Sequence, residues 1–409
     1  MRKGVDVTSR ERVLAAIRHE QPDRVPIDLG GTESSGITGI AWHHLMEHLG
    51  IDKGPGMDVV DPFQQVVRIN EELRKRFAID TIALYIEPKA WIAGTLGNGA
   101  PCRMPGLWRE RLDENGDRLL LGRDGKPAAR MPKGGFYFDG IGAALAHCSM
   151  PSDIEKHHDA IDSFDLPWFW DEPVKSTAAR AAEYHSKTDK AVVFNLCSHF
   201  LAAGTSLRGY EQFLIDLMVD KPMAEAIFDA LLDAYRKRVD KYAKSLKGLV
   251  DVVLFNDDLG SQQGPLVSPA VYRELIKPRQ AKLFGYAKKA FGTPILFHSC
   301  GAVSDFIPDL AEAGVNALNP VQVSAVGMDS ARLKRDFGKI MCFWGGGCDS
   351  QRVLGRGSVK DVREEVKRRI GDFAPGGGFV FTQVHNIQAD VPPQNIVAML
   401  DAAAEFGGY

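Results

Sequence analysis

The chain has few cysteines, no long hydrophobic run and no excess of either charge. Six cysteines in 409 residues are too few for a disulfide scaffold, so we expect free thiols that serve burial, metal binding or catalysis. No stretch reaches the roughly 18 uncharged apolar residues that span a bilayer, which argues against a membrane partner. The 50 basic and 53 acidic side chains leave a formal charge of -3, which offers no broad positive field for nucleic acid.

The opening residues, MRKGVDVTSRERVLAAIRHEQPDRVP, are charged throughout and lack the apolar segment of a secretory signal. We therefore expect a cytoplasmic protein. A content of 44% hydrophobic and 25% charged residues is typical of a globular chain, and the length allows two ordinary domains or one large barrel.

Short β-branched or aromatic runs alternate with helical periods along most of the chain, which is typical of a parallel sheet with helices around it. Eight such runs are Val25–Gly31, Thr81–Tyr85, Ala191–Leu196, Val250–Asn256, Pro294–Cys300, Asn316–Val321, Ile340–Gly346 and Gly378–His385. Eight strand-helix units predict an α/β fold, a single (β/α)8 TIM barrel over residues 1–409.

Residues 88–150 interrupt this alternation. They are rich in glycine, proline and charge, and Asn115-Gly116 and Asp124-Gly125 are hairpin-turn pairs flanked by short extended runs. We expect an inserted antiparallel ribbon with loops after the second strand, over the C-terminal mouth where barrel enzymes keep their sites. It would serve as a lid or docking surface, or have no part in the chemistry.

The stretch PILFHSCG ends a predicted strand with His298 and Cys300. Residues two apart in an extended chain point the same way, so an imidazole and a thiol are presented together. The strand after the next ends in three glycines and Cys348, which places a second sulfur on the same rim. One histidine and two thiolates favour zinc, and three protein ligands leave a fourth position for substrate. Cys342 lies within its strand and is expected to be an inert core residue.

Other polar residues follow the predicted strands and become candidates by the same reasoning. After the fourth strand, Asn256 and Asp258 are expected to bind something polar, and Asp257 is a candidate acid-base residue. After the eighth, His385 is a catalytic proton donor, an alternative metal ligand or a residue that supports the ligands, and Asn386 is a candidate substrate contact. After the first, Thr32 and Glu33 face the expected pocket. Cys197, Ser198 and His199 could line it too, but no base that would activate a nucleophile is evident.

Three segments resemble the uroporphyrinogen decarboxylase superfamily, which includes zinc- and corrinoid-dependent methyltransferases. They are RERVLAAIRHEQPDRVPI, FHSCGAVSDFIPDLAEAGVNALNPVQ and GGGFVFTQVHNIQADVPPQNI. The resemblance implies a (β/α)8 barrel. The porphyrin decarboxylases carry an arginine-rich segment after the first strand, where this chain has GGTESSGI. Methyltransferases of the family carry the histidine-cysteine pair with a distant third zinc ligand, for which Cys348 is favoured over His385.

The resemblance also implies a methyl carrier, because the family members that demethylate methoxy compounds or methylate a thiol work with a corrinoid protein. The sequence therefore predicts a zinc-dependent methyltransferase that acts on a small molecule together with a separate corrinoid protein, and a homodimer is possible. A methoxylated donor is the first expectation, and a thiol or folate acceptor is the second. The alternatives are a metal-free decarboxylase for a smaller acid, with Asp257 or His385 as the acid-base group, and a non-catalytic binding module.

Overall fold

The computed structural model describes residues 7–54 and 56–409. Its strands are β1 (Ile37–Thr38), β2 (Met57–Asp61), β3 (Val66–Val67), β4 (Thr81–Leu84), β5 (Trp91–Thr95), β6 (Pro101–Pro105), β7 (Glu110–Leu112), β8 (Arg118–Leu121), β9 (Pro127–Met131), β10 (Asp139–Gly140), β11 (Ala191–Asn195), β12 (Val252–Asn256), β13 (Ile295–His298), β14 (Ala317–Asn319), β15 (Cys342–Trp344) and β16 (Phe379–Val380).

Helices follow most strands of the second half. The α-helices are α1 (Ser9–Ile17), α2 (Gly39–Leu49), α3 (Glu71–Arg76), α4 (His158–Asp162), α5 (Val174–Lys187), α6 (Leu201–Arg208), α7 (Tyr210–Val219), α8 (Lys221–Leu246), α9 (Pro269–Val271), α10 (Lys277–Phe291), α11 (Ile307–Ala313), α12 (Ser330–Phe337), α13 (Val359–Phe373) and α14 (Pro393–Phe406). Short 3-10 segments cover Pro151–His157 and Ser304–Phe306, and π-helical turns cover Tyr272–Ile276 and Ser350–Leu354.

Seven strands form one curled parallel sheet in the order β16-β15-β14-β13-β12-β11-β4. Each of them falls within one of the predicted runs, so the α/β class and seven of the eight strand positions are confirmed. The strand residues are almost all buried, because helices cover the outer face and side chains fill the inner one.

The inner face of the sheet carries its own apolar cluster. Val193, Leu254, Leu296 and Trp344 point inward from four strands and pack with Ala16 of α1. Helix α1 lies at the amino ends of the strands, where Arg10 N donates to Asp189 O at 2.7 Å. The carboxyl ends of the strands are therefore the end that remains for a site. Cys342 belongs to this inner cluster, as predicted for a core residue.

The first predicted strand, Val25–Gly31, is not a regular strand. Ile27 forms an isolated parallel bridge with Phe381, and Phe381 N donates to Pro26 O at 2.8 Å. On the other side Asp80 N donates to Ile27 O at 2.7 Å. The expected eight strands are thus seven regular strands and one irregular segment, which lies between the two edges of the curled sheet.

Asp80 holds this segment through buried charge pairs. Its carboxylate accepts hydrogen bonds from Ile27 N at 2.8 Å, Arg12 Nη1 at 2.7 Å and Arg24 Nη1 at 2.7 Å. The Asp80 side chain is fully buried, so its charge depends on these partners for stabilisation.

Residues 91–140 form antiparallel strands between β4 and α5. Strand β5 pairs with β6, and β7 to β10 form a four-stranded sheet. Gly116 and Gly125 adopt positive φ angles of 82° and 77° in the turns that flank β8, as the two hairpin-turn pairs predict. No helix in residues 7–54 and 56–409 combines the length and apolar character needed to cross a membrane.

Candidate metal centre and substrate cavity

A cavity of about 750 Å³ lies at the carboxyl ends of the strands. Three histidines and four acids line it: His199, His298, His385, then Glu33, Asp61, Asp165 and Asp258. Aromatic walls come from Phe63, Tyr137, Phe164, Trp168 and Trp170. Among the residues that the structure describes, no lysine or arginine lines this cavity, so a substrate with many carboxylates finds no cluster of basic side chains there.

Three potential metal ligands converge at one side of the cavity. The ligand atoms of His298, Cys300 and His385 all lie within 4.8 Å of one another, and His298 Nε2 is 3.4 Å from Cys300 Sγ. Two ligands of a tetrahedral zinc ion at ordinary Zn–N and Zn–S lengths are about 3.6 Å apart. The spacing and the nitrogen-sulfur donor set therefore fit zinc.

Asn319 fixes the orientation of the His298 ring. The Asn319 amide nitrogen donates to Trp344 O at 3.0 Å, which turns its oxygen toward His298 Nδ1 at 2.7 Å. His298 Nδ1 therefore carries the proton, and its Nε2 presents a lone pair toward Cys300. Such an outer hydrogen bond is what a metal-binding histidine needs. Burial lowers the pKa of His298, which keeps the ring neutral and able to ligate.

A close backbone crossing positions Cys300. Its N–H donates to Asp258 Oδ1 at 2.9 Å. The next residue, Gly301, has a φ of 85°, and a Cβ there would lie 2.2 Å from Gly260 O. Only glycine fits this crossing. Burial and Asp258 hold the pKa of the Cys300 thiol well above its usual value, and a bound cation would reverse this shift.

His385 reaches the group through an unusual backbone conformation. Its φ of 62° lies in the left-handed region, which is costly for a residue other than glycine and which redirects its side chain. Burial and the charge of His298 lower the pKa of His385 to about 4. The ring is neutral at physiological pH, so it fits a metal ligand better than the proton donor that was one prediction.

The structure does not bring Cys348 to this group. Strand β15 ends at Trp344, and Gly345 and Gly346 follow with φ angles of 131° and 71°. These two turns break the two-residue alternation on which the prediction depended. The Cys348 thiol is fully buried, and its charged surroundings include Glu365 of α13, on the outer side of the sheet.

Three polar residues stand at the end of β12, and two of them line the cavity while the third does not. Asp258 and Asn256 line the cavity, and Asn256 Oδ1 has no hydrogen-bond partner in the described part of the chain. Asp257 is fully buried and outside the lining. Its carboxylate accepts from Leu201 N at 3.0 Å and Ala202 N at 3.2 Å, so it caps α6, and burial raises its pKa to about 6.

Two further predicted substrate contacts do not face the cavity. The Thr32 hydroxyl is buried and lies 3.1 Å from both Ser34 Oγ and Ser35 Oγ. Asn386 is 1% exposed. It accepts from Tyr137 Oη at 3.2 Å and donates to Gln64 Oε1 at 2.9 Å, so it ties the loop after β16 to the antiparallel segment.

Glu33 lies in the cavity wall, as predicted, beside an acid that the sequence did not single out. Its carboxylate accepts from Asn195 Nδ2 at 2.6 Å. Burial, with a contribution from the charge of Asp61, raises the pKa of Glu33 to about 7. Asp61 is the last residue of β2, whose sequence MDVVD alternates between apolar and polar residues at its start. This pattern is the signal that could have identified the strand and the acid at its end.

His199 is a cavity residue whose partner acid sequence reasoning missed. His199 Nδ1–H donates to Asp165 Oδ1 at 2.5 Å. Burial alone would lower the pKa of His199, but Asp165 outweighs it and raises this pKa to about 9. The ring is therefore cationic at neutral pH.

The raised pKa of His199 predicts a pH-dependent contribution to stability. A histidine with a folded pKa of about 9 and an unfolded pKa near 6.5 contributes fully below pH 6.5, and the contribution is lost as the pH rises through 9. We expect the melting temperature of the native chain, relative to His199→Gln, to fall over this window. Thermal unfolding between pH 6 and about 10 measures it. A difference that is flat with pH would contradict the pairing with Asp165.

Comparisons with known proteins agree with this fold. The sequence model of the family described as uroporphyrinogen decarboxylase (URO-D) matches residues 194–406. Over 49 residues the chain is 39% identical to a protein of Alkalilimnicola ehrlichii described as uroporphyrinogen decarboxylase, a match that covers 12% of this chain and only 13% of that protein.

Among solved structures, a methyltransferase from Methanosarcina mazei is 17% identical with a TM-score of 0.57, covering 98% of this chain and 99% of that one. At this identity the likeness shows the fold alone. Native xylanase 10B from Thermotoga maritima reaches a TM-score of only 0.35 at 15% identity, over 56% of this chain and 79% of its own. The matched family region spans more than half of the sequence and contains all three residues of the candidate metal centre, so the chain belongs to the uroporphyrinogen decarboxylase family.

Proposed function

We propose that the chain is a zinc-dependent methyltransferase that moves a methyl group from a small methylated molecule, methoxylated in the first instance, to a corrinoid held by a separate protein. The observation that carries the proposal is the convergence of His298, Cys300 and His385 at the wall of a cavity of substrate size. We assign His385 as the third ligand in place of Cys348. A bound zinc ion would act as a Lewis acid toward the heteroatom that carries the methyl group.

Each nearby residue has a part in this proposal. Asn319 orients His298, and Asp258 holds the backbone of Cys300. Asn256 Oδ1, which has no partner among the described residues, and the Glu33 carboxyl, which accepts from Asn195, both face the cavity and can bind polar groups of the substrate. The lining thiol Cys197 has a pKa held well above its usual value by burial, which makes it a poor nucleophile. The methyl group therefore needs an acceptor from outside the chain, and a corrinoid would serve as one.

The proposal includes a closed barrel with residues 88–150 over its mouth. Its support is that Leu120, Ala128 and Tyr137 of this segment line the cavity. Several large apolar side chains of the same segment are exposed, among them Leu112 at 66% and Met150 at 57%. Exposed apolar surface of this kind is typical of a docking face, and we propose that the corrinoid protein binds there.

The absence of lysine and arginine from the lining described above disfavours a substrate with many carboxylates. A decarboxylase for a smaller acid is the alternative that experiment must separate. Asp257 does not support the decarboxylase as its acid-base residue, because its carboxylate accepts a hydrogen bond from Leu201 N at the start of α6.

Metal analysis of the purified full chain tests the proposed function. We expect about one zinc ion per chain, and methyl transfer from aryl methyl ethers to reduced cobalamin, followed by the absorbance of methylcobalamin. Treatment with a chelator should abolish transfer, and added zinc should restore it. Release of carbon dioxide from a substrate by chelator-treated protein, without methyl transfer, would instead establish the lyase.

A further inference from the structure

A histidine-carboxylate pair lies in the cavity wall outside the metal group. His199 follows β11 and Asp165 lies in the irregular segment before α5, and both line the same cavity as His298 and His385. His199 Nδ1–H donates to Asp165 Oδ1 at 2.5 Å. The Asp165 side chain is only 3% exposed, while that of His199 is 27% exposed. The histidine is thus the member of the pair that is open to a bound molecule.

The surrounding residues lock this histidine in one orientation. Tyr235 Oη accepts from His199 N at 3.0 Å and donates to His199 O at 2.8 Å. Arg238 donates to Cys197 O at 2.8 Å and lies 3.9 Å from Asp165 Oδ2. Because Nδ1 is committed to Asp165, Nε2 is the ring atom that remains for a ligand in the cavity.

The charged groups around the ring favour its protonated form. Asp165 is the dominant partner, and Asp257 and Asp258 add to its effect, whereas burial opposes it. His199 in turn acts on Glu33 and His298, lowering the pKa of each. The two other histidines of the cavity have lowered pKa values, so His199 is the imidazole in the wall that carries a proton to give.

We propose that His199 Nε2–H donates a proton to the substrate oxygen that loses its methyl group, with Asp165 as the residue that positions the ring. The inference rests on the proposed function. As the carbon-oxygen bond of the methyl ether breaks, its electron pair stays on the oxygen, and the proton from Nε2 converts that oxygen to a hydroxyl. The methyl carbon forms its new bond to the cobalt of the acceptor, a reduced corrinoid that supplies this electron pair and is oxidised from cobalt(I) to cobalt(III). Solvent then reprotonates the imidazole.

A proton donor is needed because a methyl ether gives a basic oxygen anion as its leaving group. Donation in the transition state typically accelerates such a step by about 10²–10⁴-fold. Glu33 is the competing donor in the wall, since its pKa of about 7 leaves part of it protonated at neutral pH. The dependence of kcat on the acidity of the phenol that leaves distinguishes His199 from Glu33. Only replacement of the residue that donates the proton should make this dependence steeper.

The experiment compares His199→Gln, Asp165→Asn and Glu33→Gln in the zinc-loaded full chain, with His185→Gln as the matched control. His185 is exposed on α5 and lies outside the cavity. The substrates are aryl methyl ethers whose phenols differ in acidity, with reduced cobalamin as acceptor. We expect His199→Gln to lower kcat by about 100-fold or more for weakly acidic phenols and far less for strongly acidic ones. His185→Gln should behave as the native chain does.

A second measurement needs neither zinc nor turnover. In metal-free full chain with isotope-labelled histidine, nuclear magnetic resonance should show one imidazole that titrates near pH 9, absent in His199→Gln and shifted to lower pH in Asp165→Asn. Zinc content should be unchanged in both variants.

Three outcomes overturn the inference. In the first, His199→Gln affects all ethers equally or not at all while native transfer is intact, which leaves the proposed function standing. In the second, kcat becomes more sensitive to the acidity of the phenol in Glu33→Gln and not in His199→Gln. In the third, the native chain loads zinc but transfers no methyl group from any ether, and then the proposed function fails as well.

Discussion

Cys300→Ser should abolish the proposed zinc binding, whereas Cys348→Ser should leave it intact. Removing one of three ligands is expected to weaken zinc binding by at least about 100-fold, since even residues that only support a ligand are worth about 10–100-fold. Cys348→Ser is the matched control because it makes the same exchange at a thiol outside the group of converging ligands. Zinc content after dialysis, together with competition by a chromophoric chelator, measures both.

His385→Ala completes this comparison. It should lose zinc as Cys300→Ser does, because the His385 ring is the third member of the converging group. A chain that keeps its metal without the His385 imidazole but loses it on Cys348→Ser would show that the sequence-based choice of ligand was right and the assignment from the structure wrong.

Asp80→Ala should cost about 3–5 kcal/mol of the free energy of unfolding, the range for breaking a buried ion pair from one side. The substitution leaves Arg12, whose side chain is 8% exposed, with one carboxylate fewer. It also removes the acceptor of Ile27 N and loosens the segment between the sheet edges. Urea unfolding followed by circular dichroism measures the loss.

The control for this experiment is Asp401→Ala. Asp401 pairs with Arg76 at 2.8 Å, but both side chains are about two-fifths exposed, so its loss should cost no more than about 1 kcal/mol. Equal losses in the two variants would show that the Asp80 network does not hold the segment in place.

The strand positions could be predicted because parallel strands leave a strong signal. A run such as PILFHSC is buried on both faces, and its end falls at the rim by necessity. The first run failed as a regular strand because its bonds depend on Asp80 and Phe381, far away in sequence. Such pairing is decided by tertiary contacts and not by local propensity.

The proposed metal group and the group predicted from the sequence share two residues and differ in the third. His298 and Cys300 lie two apart in one strand end, so local geometry alone brings them together. Cys348 lies outside this group because the conformations of Gly345 and Gly346 turn the chain away, and sequence shows only that glycine permits such turns. His385 approaches His298 and Cys300 through a left-handed conformation, which residues other than glycine rarely adopt and which no sequence pattern predicts.

Pairs of residues that lie far apart in the chain were also beyond prediction from the sequence. His199 was visible as a strand-end residue, but Asp165 lies 34 positions away in an irregular segment, where periodicity says nothing. Asp257 shows the opposite error: its strand-end position is genuine, yet the adjacent α6 claims its carboxylate. A rim position therefore identifies candidates, while the direction of each side chain needs the packed structure.

The hydrogen bonds behind His298 predict how the chain behaves when the proposed zinc ion is removed. From Asn319 they run to Trp344 O, while the Trp344 indole donates to Asp28, which also accepts from Thr81. This series of hydrogen bonds connects β14, β15 and β4 through the segment that contains Asp28, and all its members are protein groups. Metal-depleted protein should thus remain folded and take up zinc with little rearrangement, in contrast to small zinc domains that unfold when demetallated.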